Sequence, residues 1–197
     1  MRQGSFDSQS SAGAHRVAYT EFGERDNPRV LVCVHGLARN GRDFDRLATA
    51  LAGEYRVVCP DVVGRGASDW LANKNDYGYP QYLTDMSALF AHLRAERVRW
   101  VGTSMGGLIG MLLAAMPDSP VERMVMNDVG PLIPKAALER IGAYVGTDPH
   151  FANIAELDGV ARGITDALEA HDISGADAIL FAAVGDYGVH DEPPPQA

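Results

Sequence analysis

The sequence has few cysteines and no excess of basic residues. Its two cysteines, Cys33 and Cys59, each lie in an apolar run without C-x-x-C spacing. We therefore expect reduced thiols that pack as small hydrophobic side chains, and neither a disulfide framework nor a zinc site. Lys and Arg total 17 against 26 Asp and Glu, which gives a net charge of −9. Since no basic cluster is present, nucleic acid and anionic membranes are not expected as partners.

Long apolar runs are also missing. No stretch approaches the roughly 20 residues that a membrane-spanning helix needs. Residues 1–14 are rich in Ser, Gln and Gly and lack the apolar segment of a signal peptide. We therefore expect a cytoplasmic protein in which residues 1–14 form a disordered N-terminal tail. The 197 residues are enough for one domain with a buried core.

The stretch from Val98 to Met111 contains the pattern Gly-x-Ser-x-Gly at residues 102–106. The β-branched and aromatic residues before the pattern are typical of a buried strand, and the residues after Ser104 favour a helix. Glycines at both ends let the backbone turn sharply, so that the Ser104 hydroxyl is exposed at the tip. The pattern predicts a nucleophilic serine; the alternative is a chance match that only caps the helix.

Strand-like and helix-like segments alternate four times along the chain. This alternation predicts an α/β fold whose mostly parallel sheet is covered by helices on both faces. His35, Asp61, Ser104 and Asp128 each follow a predicted strand, so they should meet at the carboxyl edge of the sheet. The predicted strands are 15–22, 29–34, 55–60, 98–101 and 121–126, and the predicted helices are 43–51, 81–95 and 105–116.

The pattern changes after Asp128. Helices are predicted without an intervening strand, which suits a helical lid over the carboxyl edge of the sheet. Residues 179–184 could be a short strand or a helix end. We therefore divide the chain into a core at 15–130, a lid or divergent segment at 131–190 and a solvated tail at 191–197. The predicted lid helices are 131–145, 151–157 and 159–171.

Three motifs, taken in order, resemble the α/β-hydrolase superfamily, in particular its compact lidded esterases, enol-lactonases and carbon–carbon bond hydrolases. The resemblance covers about residues 17–131. The motifs are His35-Gly36 after one strand, the loop from Asp61 to Asp69 with Gly64, Arg65, Gly66 and Ser68 after the next, and the turn from Gly102 to Gly106.

The resemblance implies how an acyl substrate would be attacked. Ser104 would be the nucleophile, and the backbone N–H groups of Leu37 and Met105 would form the oxyanion hole. Met105 also begins a helix, whose amino-terminal end favours negative charge. No metal and no organic cofactor is implied. Leu37 could instead be an ordinary loop residue.

The resemblance also implies structural roles. His35 with Gly36 would orient the oxyanion loop, because a catalytic histidine in this superfamily follows the serine in the chain. Gly102 and Gly106 would support the turn around the nucleophile. Asp61 and Asp69 would brace the loop that contains them by accepting hydrogen bonds from backbone N–H groups.

The chain departs from the family pattern where the catalytic acid and base should follow. The family has two further strands after the lid, and we expect them to be missing here. His190 in Gly-Val-His most resembles the catalytic histidine of the family, but it could instead be a histidine in a mobile tail. Asp128 would be the acid that orients it, or would instead cap the start of the lid. His150 and His171 fit lid surfaces.

Two explanations of the short carboxyl end stay open. One is a truncated or frame-altered hydrolase that leaves the family pattern near Phe151, and the other is a minimal enzyme that takes its histidine from the lid or tail. Missing strands would expose the sheet edge beyond residues 121–126, which predicts marginal stability or a homodimer through that edge.

The function predicted is hydrolysis of an ester, lactone or related small acyl compound through an acyl-enzyme. The alternative is a catalytically inactive scaffold that acts as a binding or interaction protein. A histidine within about 3 Å of the Ser104 hydroxyl would distinguish the two. A dinucleotide site is not expected, because the glycines neither follow the first strand nor fit G-x-G-x-x-G.

Overall fold

A computed structural model describes residues 1–142 and the isolated residues 145, 153, 155, 159 and 162; for residues 137, 140 and 141 it describes only the backbone. The chain divides into two compact units, Met1–Leu132 and Ile133–Ala197. The first unit contains the six-stranded sheet.

The first unit has six strands, three α-helices and two short 3₁₀ turns. The predicted strands and helices of the core are found with small shifts at their ends. The strands are β1 (Arg2–Ser10), β2 (Gly13–Phe22), β3 (Val30–Val34), β4 (Arg56–Pro60), β5 (Val98–Thr103) and β6 (Val121–Asn127). The helices are α1 (Asp45–Leu51), α2 (Tyr79–Leu93) and α3 (Met105–Ala114), and the 3₁₀ turns are Gly41–Phe44 and Lys74–Asp76.

The strands form one sheet in the order β1-β2-β4-β3-β5-β6. β3 pairs in parallel with both β4 and β5, and β5 pairs in parallel with β6. β1 and β2 join this parallel part through antiparallel pairing. The predicted α/β fold with a mostly parallel sheet is therefore confirmed.

Alternate residues of the central strand β3 enter two separate cores, because successive side chains of a strand point to opposite faces. One core packs Val30, Val32 and Val34 against α2 and α3. The other packs Leu31 and Cys33 against residues of α1 and the turn before it. With both faces covered, β3 is apolar at every position, which made it easy to recognise in the sequence. Cys33 and Cys59 are buried free thiols.

The predicted disordered tail at residues 1–14 is wrong. Residues 2–10 form β1, which pairs with β2 along its whole length, from Arg2 opposite Glu21 to Ser10 opposite Gly13. Phe6 is only 6% exposed. The segment looks like a tail because its two buried positions are Phe6 and Ser8, so the alternation of apolar residues is too weak to read.

Buried ion pairs fix the same hairpin at its open end. The Glu21 carboxylate contacts Arg2 at 2.6 Å and Arg56 at 3.0 Å. Burial alone would raise the pKa of Glu21, but these two arginines more than offset it and lower the pKa. Glu21 therefore joins β1, β2 and β4 as a carboxylate.

The second unit contains α4 (Lys135–Gly142), which falls inside the first predicted lid helix. Its exposed Lys135 and Glu139 side chains form an ion pair at 3.1 Å, one helical turn apart. Apart from isolated positions, the other predicted lid helices, residues 179–184 and the tail at 191–197 lie outside the described residues.

Two expectations concern surfaces of the chain. Within the described ranges, no helix has the length and apolar character needed to cross a membrane. β6 is the last strand of the sheet, and its Val125 is 59% exposed. A homodimer through this edge stays a prediction.

Candidate active site

Four polar residues each stand directly after a strand of the parallel part of the sheet. β3, β4, β5 and β6 end at Val34, Pro60, Thr103 and Asn127. The next residues are His35, Asp61, Ser104 and Asp128. Because the four strands run in the same direction, these residues lie at one edge of the sheet, as the sequence predicts.

Ser104 occupies a strained backbone conformation between β5 and α3. Its φ is 49° and its ψ is −114°, a region that favours glycine. Such a conformation costs on the order of 1–3 kcal/mol and persists only where the surrounding structure imposes it. The Ser104 N–H donates to the Asn127 carbonyl at 2.9 Å, and the Ser104 carbonyl accepts from Gly107 and Leu108. Both sides of the turn are therefore held.

Glycines around Ser104 allow backbone segments to approach closely. A Cβ at Gly106 would overlap the Val34 carbonyl oxygen, and a Cβ at Gly102 would overlap the Gly106 carbonyl. A Cβ at Gly36 would lie 3.7 Å from the Ser104 Cβ. The first two glycines are required by the turn, and Gly36 brings the loop after β3 next to the serine.

The two predicted oxyanion donors lie in the loop after β3 and at the start of α3. Neither the Leu37 N–H nor the Met105 N–H donates a hydrogen bond to any described residue. Met105 is the first residue of α3, whose first turn carries no acidic side chain. The partial positive charge of the helix terminus therefore adds to the Met105 N–H group.

His35 is fully occupied by backbone groups. Its Nε2 accepts the Val62 N–H at 2.9 Å, and its Nδ1 lies 2.7 Å from the Gly36 carbonyl oxygen. Since Nε2 accepts, Nδ1 must carry the proton and donate it to Gly36. Burial lowers the pKa of His35 to about 4. His35 is thus a neutral residue that orients the Gly36–Leu37 peptide, and it has no nitrogen left to act as a base.

The two aspartates of the loop after β4 differ in what they hold. Asp61 accepts the Ala67 N–H at 2.8 Å within its own loop and the Gly41 N–H at 2.7 Å from the turn before α1. Asp69 also accepts a backbone N–H, as the sequence predicts, but the donor is Arg16 of β2, at 2.8 Å. Asp69 thereby joins the end of the loop to β2, a partner that local turn chemistry does not reveal.

Asp128 lies beside the nucleophile turn. It directly follows Asn127, whose carbonyl binds the Ser104 N–H, and its φ is 57°. Its exposed side chain makes no hydrogen bond or ion pair with any residue in the described part of the chain. The structure therefore brings Asp128 to the site edge, with no partner for its carboxylate among the described residues.

Among the described residues, no histidine is hydrogen-bonded to Ser104. His15 pairs with buried Asp85 at 3.0 Å, and His92 lies 3.1 Å from the Tyr19 hydroxyl. The candidates His150, His171 and His190 all fall outside the described residues.

Two residues that were given no role in the sequence analysis hold the site. The indole N–H of Trp100 donates to the Gly106 carbonyl at 2.9 Å. The guanidinium of Arg65 donates from Nε to the Leu37 carbonyl at 3.0 Å. The signal for Arg65 was its place between two glycines of the loop after β4, but its target could not be read from that loop alone.

Known proteins resemble this chain in sequence and in structure. The family model described as alpha/beta hydrolase fold matches residues 29–154. Over 147 residues the chain is 60% identical to the 3-hydroxybutyrate-oligomer hydrolase of Cupriavidus necator. This match covers 75% of this chain and 50% of that protein. Over 122 residues it is 34% identical to the magnesium-chelatase 30 kDa subunit of Rhodobacter capsulatus, covering 59% of this chain and 42% of that protein.

A solved structure is similar to this chain over most of the chain's length. An alpha/beta hydrolase from Novosphingobium aromaticivorans matches with a TM-score of 0.69 and 36% identity, over 90% of this chain and 61% of its own. The chain spans half or less of the length of each of the two curated relatives named above.

Proposed function

This chain belongs to the α/β-hydrolase family, and from that premise we propose that it is a serine-nucleophile hydrolase that acts on a small acyl ester through an acyl-enzyme. The observation that carries the proposal is the strained turn at Ser104, which lies beside two backbone N–H groups, of Leu37 and Met105, without partners among the described residues. Strained residues of this kind cluster at active sites, where the strain helps to set the geometry of the reaction.

The chemistry follows from this arrangement. The Ser104 Oγ attacks the acyl carbon while a base takes its proton, and the carbonyl oxygen becomes an oxyanion. The N–H groups of Leu37 and Met105 stabilise that oxyanion, which is worth about 10²–10³ in rate for each donor. Collapse of the intermediate breaks the ester bond, and the alcohol leaves with the proton. Water then attacks the acyl-enzyme through the same steps and releases the acid.

For the base we propose His190, oriented by Asp128. The exposed carboxylate of Asp128 next to the Ser104 turn supports this pairing, because a triad acid must lie close to the nucleophile to hold the histidine. His35 is unsuited to this role, since both of its nitrogens bind backbone groups.

For the substrate we propose short esters of hydroxy acids. The support is the 60% identity to a relative named 3-hydroxybutyrate-oligomer hydrolase. Such an oligomer carries one ester bond between neighbouring units, so each attack by Ser104 would release a shorter oligomer and leave an acyl-enzyme. No metal or organic cofactor is needed for these steps.

The test is hydrolysis of the 3-hydroxybutyrate dimer and of p-nitrophenyl butyrate by the full chain. We expect turnover by the wild type, loss of about 10⁴-fold or more in S104A, and unchanged rates in the control S87A, which removes an exposed hydroxyl on α2. H190A should lose activity as S104A does, whereas H150A and H171A should not.

Turnover at the background rate by a folded wild type would overturn the proposal. That outcome would favour the alternative of an inactive scaffold that binds acyl compounds, and a calorimetric titration with the dimer would detect such binding.

A further inference from the structure

Arg65 contacts three separate parts of the site. Its Nε donates to the Leu37 carbonyl at 3.0 Å, and its Nη1 donates to the Val63 carbonyl at 2.8 Å and to the Tyr82 hydroxyl at 3.2 Å. Its Nη2 lies 3.9 Å from the Met105 sulfur. One side chain therefore connects the loops after β3 and β4 with α2 and with the first residue of α3.

Leu37 is held from both sides as a result. The peptide that precedes it is fixed by His35, which donates to the Gly36 carbonyl at 2.7 Å. The peptide that follows it is fixed by the Arg65 bond to the Leu37 carbonyl. Because a peptide unit is planar, fixing the carbonyl oxygens on both sides leaves the Leu37 N–H little freedom to turn. The Gly36 carbonyl also accepts the Arg39 N–H at 3.2 Å, so the loss of Arg65 would leave the Gly36 carbonyl held and remove the donor from the Leu37 carbonyl.

The guanidinium itself is held rigidly. Its carbon lies over the rings of Tyr77, at 5.9 Å from the ring centroid, and Tyr82, at 5.5 Å. Both tyrosines present a ring face that attracts a cation. A planar, half-buried group with three hydrogen bonds and two ring contacts can hold a carbonyl in place, which a flexible lysine would do less well.

The hydrogen bonds and ring contacts of Arg65 among the described residues are to neutral groups. No carboxylate in the described ranges lies at ion-pair distance from its guanidinium, whereas Arg2, Arg16, Arg39 and Arg56 each form an ion pair. The cation lies close to both predicted oxyanion residues, Leu37 and Met105. A fixed positive charge there favours negative charge that develops in the transition state.

We propose that Arg65 is a positioning residue of the oxyanion hole: it fixes the Leu37 backbone through its carbonyl, keeps the Leu37 N–H in place for the reaction and adds a positive charge beside it. This role rests on the proposed function of Ser104. It predicts that Arg65 affects the transition state more than the bound substrate.

The test compares R65M, R65K and the control R46M, which removes an exposed arginine on α1. We measure kcat and KM with p-nitrophenyl butyrate and the affinity for butylboronic acid, which forms a tetrahedral anion on a serine. R65M should lower kcat by about 10²-fold, since small misplacement of a catalytic group has effects of this size. It should change KM less than threefold and weaken the boronate in parallel with kcat.

The variants separate positioning from a general loss of structure. R65K keeps the charge but not the planar fork, so it should recover part of kcat, and R46M should behave as wild type. A folded R65M with kcat within threefold of wild type would overturn the Arg65 proposal alone. An equal rise of KM in R65M and R65K with unchanged kcat would also overturn it. A wild type without turnover and without boronate binding would overturn the proposed function itself.

Discussion

The indole N–H of Trp100 donates to the backbone carbonyl of Gly106 at 2.9 Å, and both groups are buried. Trp100 lies on β5 and Gly106 on α3, so this bond joins the strand before Ser104 to the helix after it. The contact closes the turn that holds the serine in its strained conformation. It therefore connects the core of the protein directly to the proposed nucleophile.

Replacing Trp100 by Phe should destabilise the protein and loosen this turn. The substitution leaves the buried Gly106 carbonyl without its donor, which costs about 1–3 kcal/mol, and some packing is lost as well. Urea unfolding measures the change, with W70F as the control because Trp70 is 78% exposed. Equal midpoints for W100F and wild type would show that the bond does not support the turn.

Replacing Ser104 by Gly should raise stability while it abolishes activity. Glycine adopts a φ of 49° without the clash that a Cβ causes. Relief of the strain contributes about 1–3 kcal/mol, and the entropic cost of glycine reduces this. The free energy of unfolding should therefore rise by about 1 kcal/mol. S104A keeps the Cβ and should show no such gain. If S104G unfolds at lower urea than S104A, the turn does not store strain at this residue.

Stability should fall as pH is lowered from about 6.5 to about 4 because of His35. Burial lowers the pKa of His35 from 6.5 to about 4, so the unfolded chain binds a proton in this window that the native chain does not. The contribution is present in full above pH 6.5 and is lost as pH falls to 4, by about 3 kcal/mol in all. Urea midpoints measured at several pH values follow the change.

The matched variants for this pH effect are H35Q and H92Q. H35Q should be less stable than wild type at pH 7.5, since the Val62 and Gly36 bonds are lost, and its midpoint should depend less on pH. H92Q removes an exposed imidazole and serves as the control. A pH dependence that is the same in H35Q and wild type would contradict the account of His35.

Replacing Phe6 by Ala should destabilise the core although the residue lies near the amino terminus. Phe6 is 6% exposed and contacts the rings of Tyr19 and His92, so its loss removes buried apolar surface. Substitutions of this kind cost about 3–5 kcal/mol. D7A, at the exposed neighbouring position, should change the thermal midpoint little. A similar small change for F6A would mean that β1 is not part of the folded core.

The centre of the parallel part could be predicted because its strands are buried on both faces. β3 is a continuous apolar run, β4 is apolar after Arg56, and the residues that follow them are recognisable motifs. β1 could not be predicted, because its stability comes from pairing with β2 and from the Arg2 bond to Glu21, neither of which leaves a local apolar pattern. Elements held by distant partners carry little signal in their own sequence.

The candidate site likewise has features that the sequence predicts and features that it does not. Ser104 could be predicted because the sharp turn requires glycines at fixed spacing. The bonds of Arg65 to Leu37 and of Asp69 to Arg16 could not, because they depend on how loops from different strands meet. The pairing of His190 with Asp128 stays a prediction, since His190 lies outside the described residues.

The central claim is that Ser104 is a nucleophile beside an oxyanion hole, and covalent labelling tests it most directly. The full chain is treated with a fluorophosphonate, and the adduct is located by mass spectrometry of the intact protein and its peptides. The account predicts one adduct per chain on Ser104, lost in S104A and kept in S87A. An unlabelled wild type, or labelling that survives S104A unchanged, would contradict it.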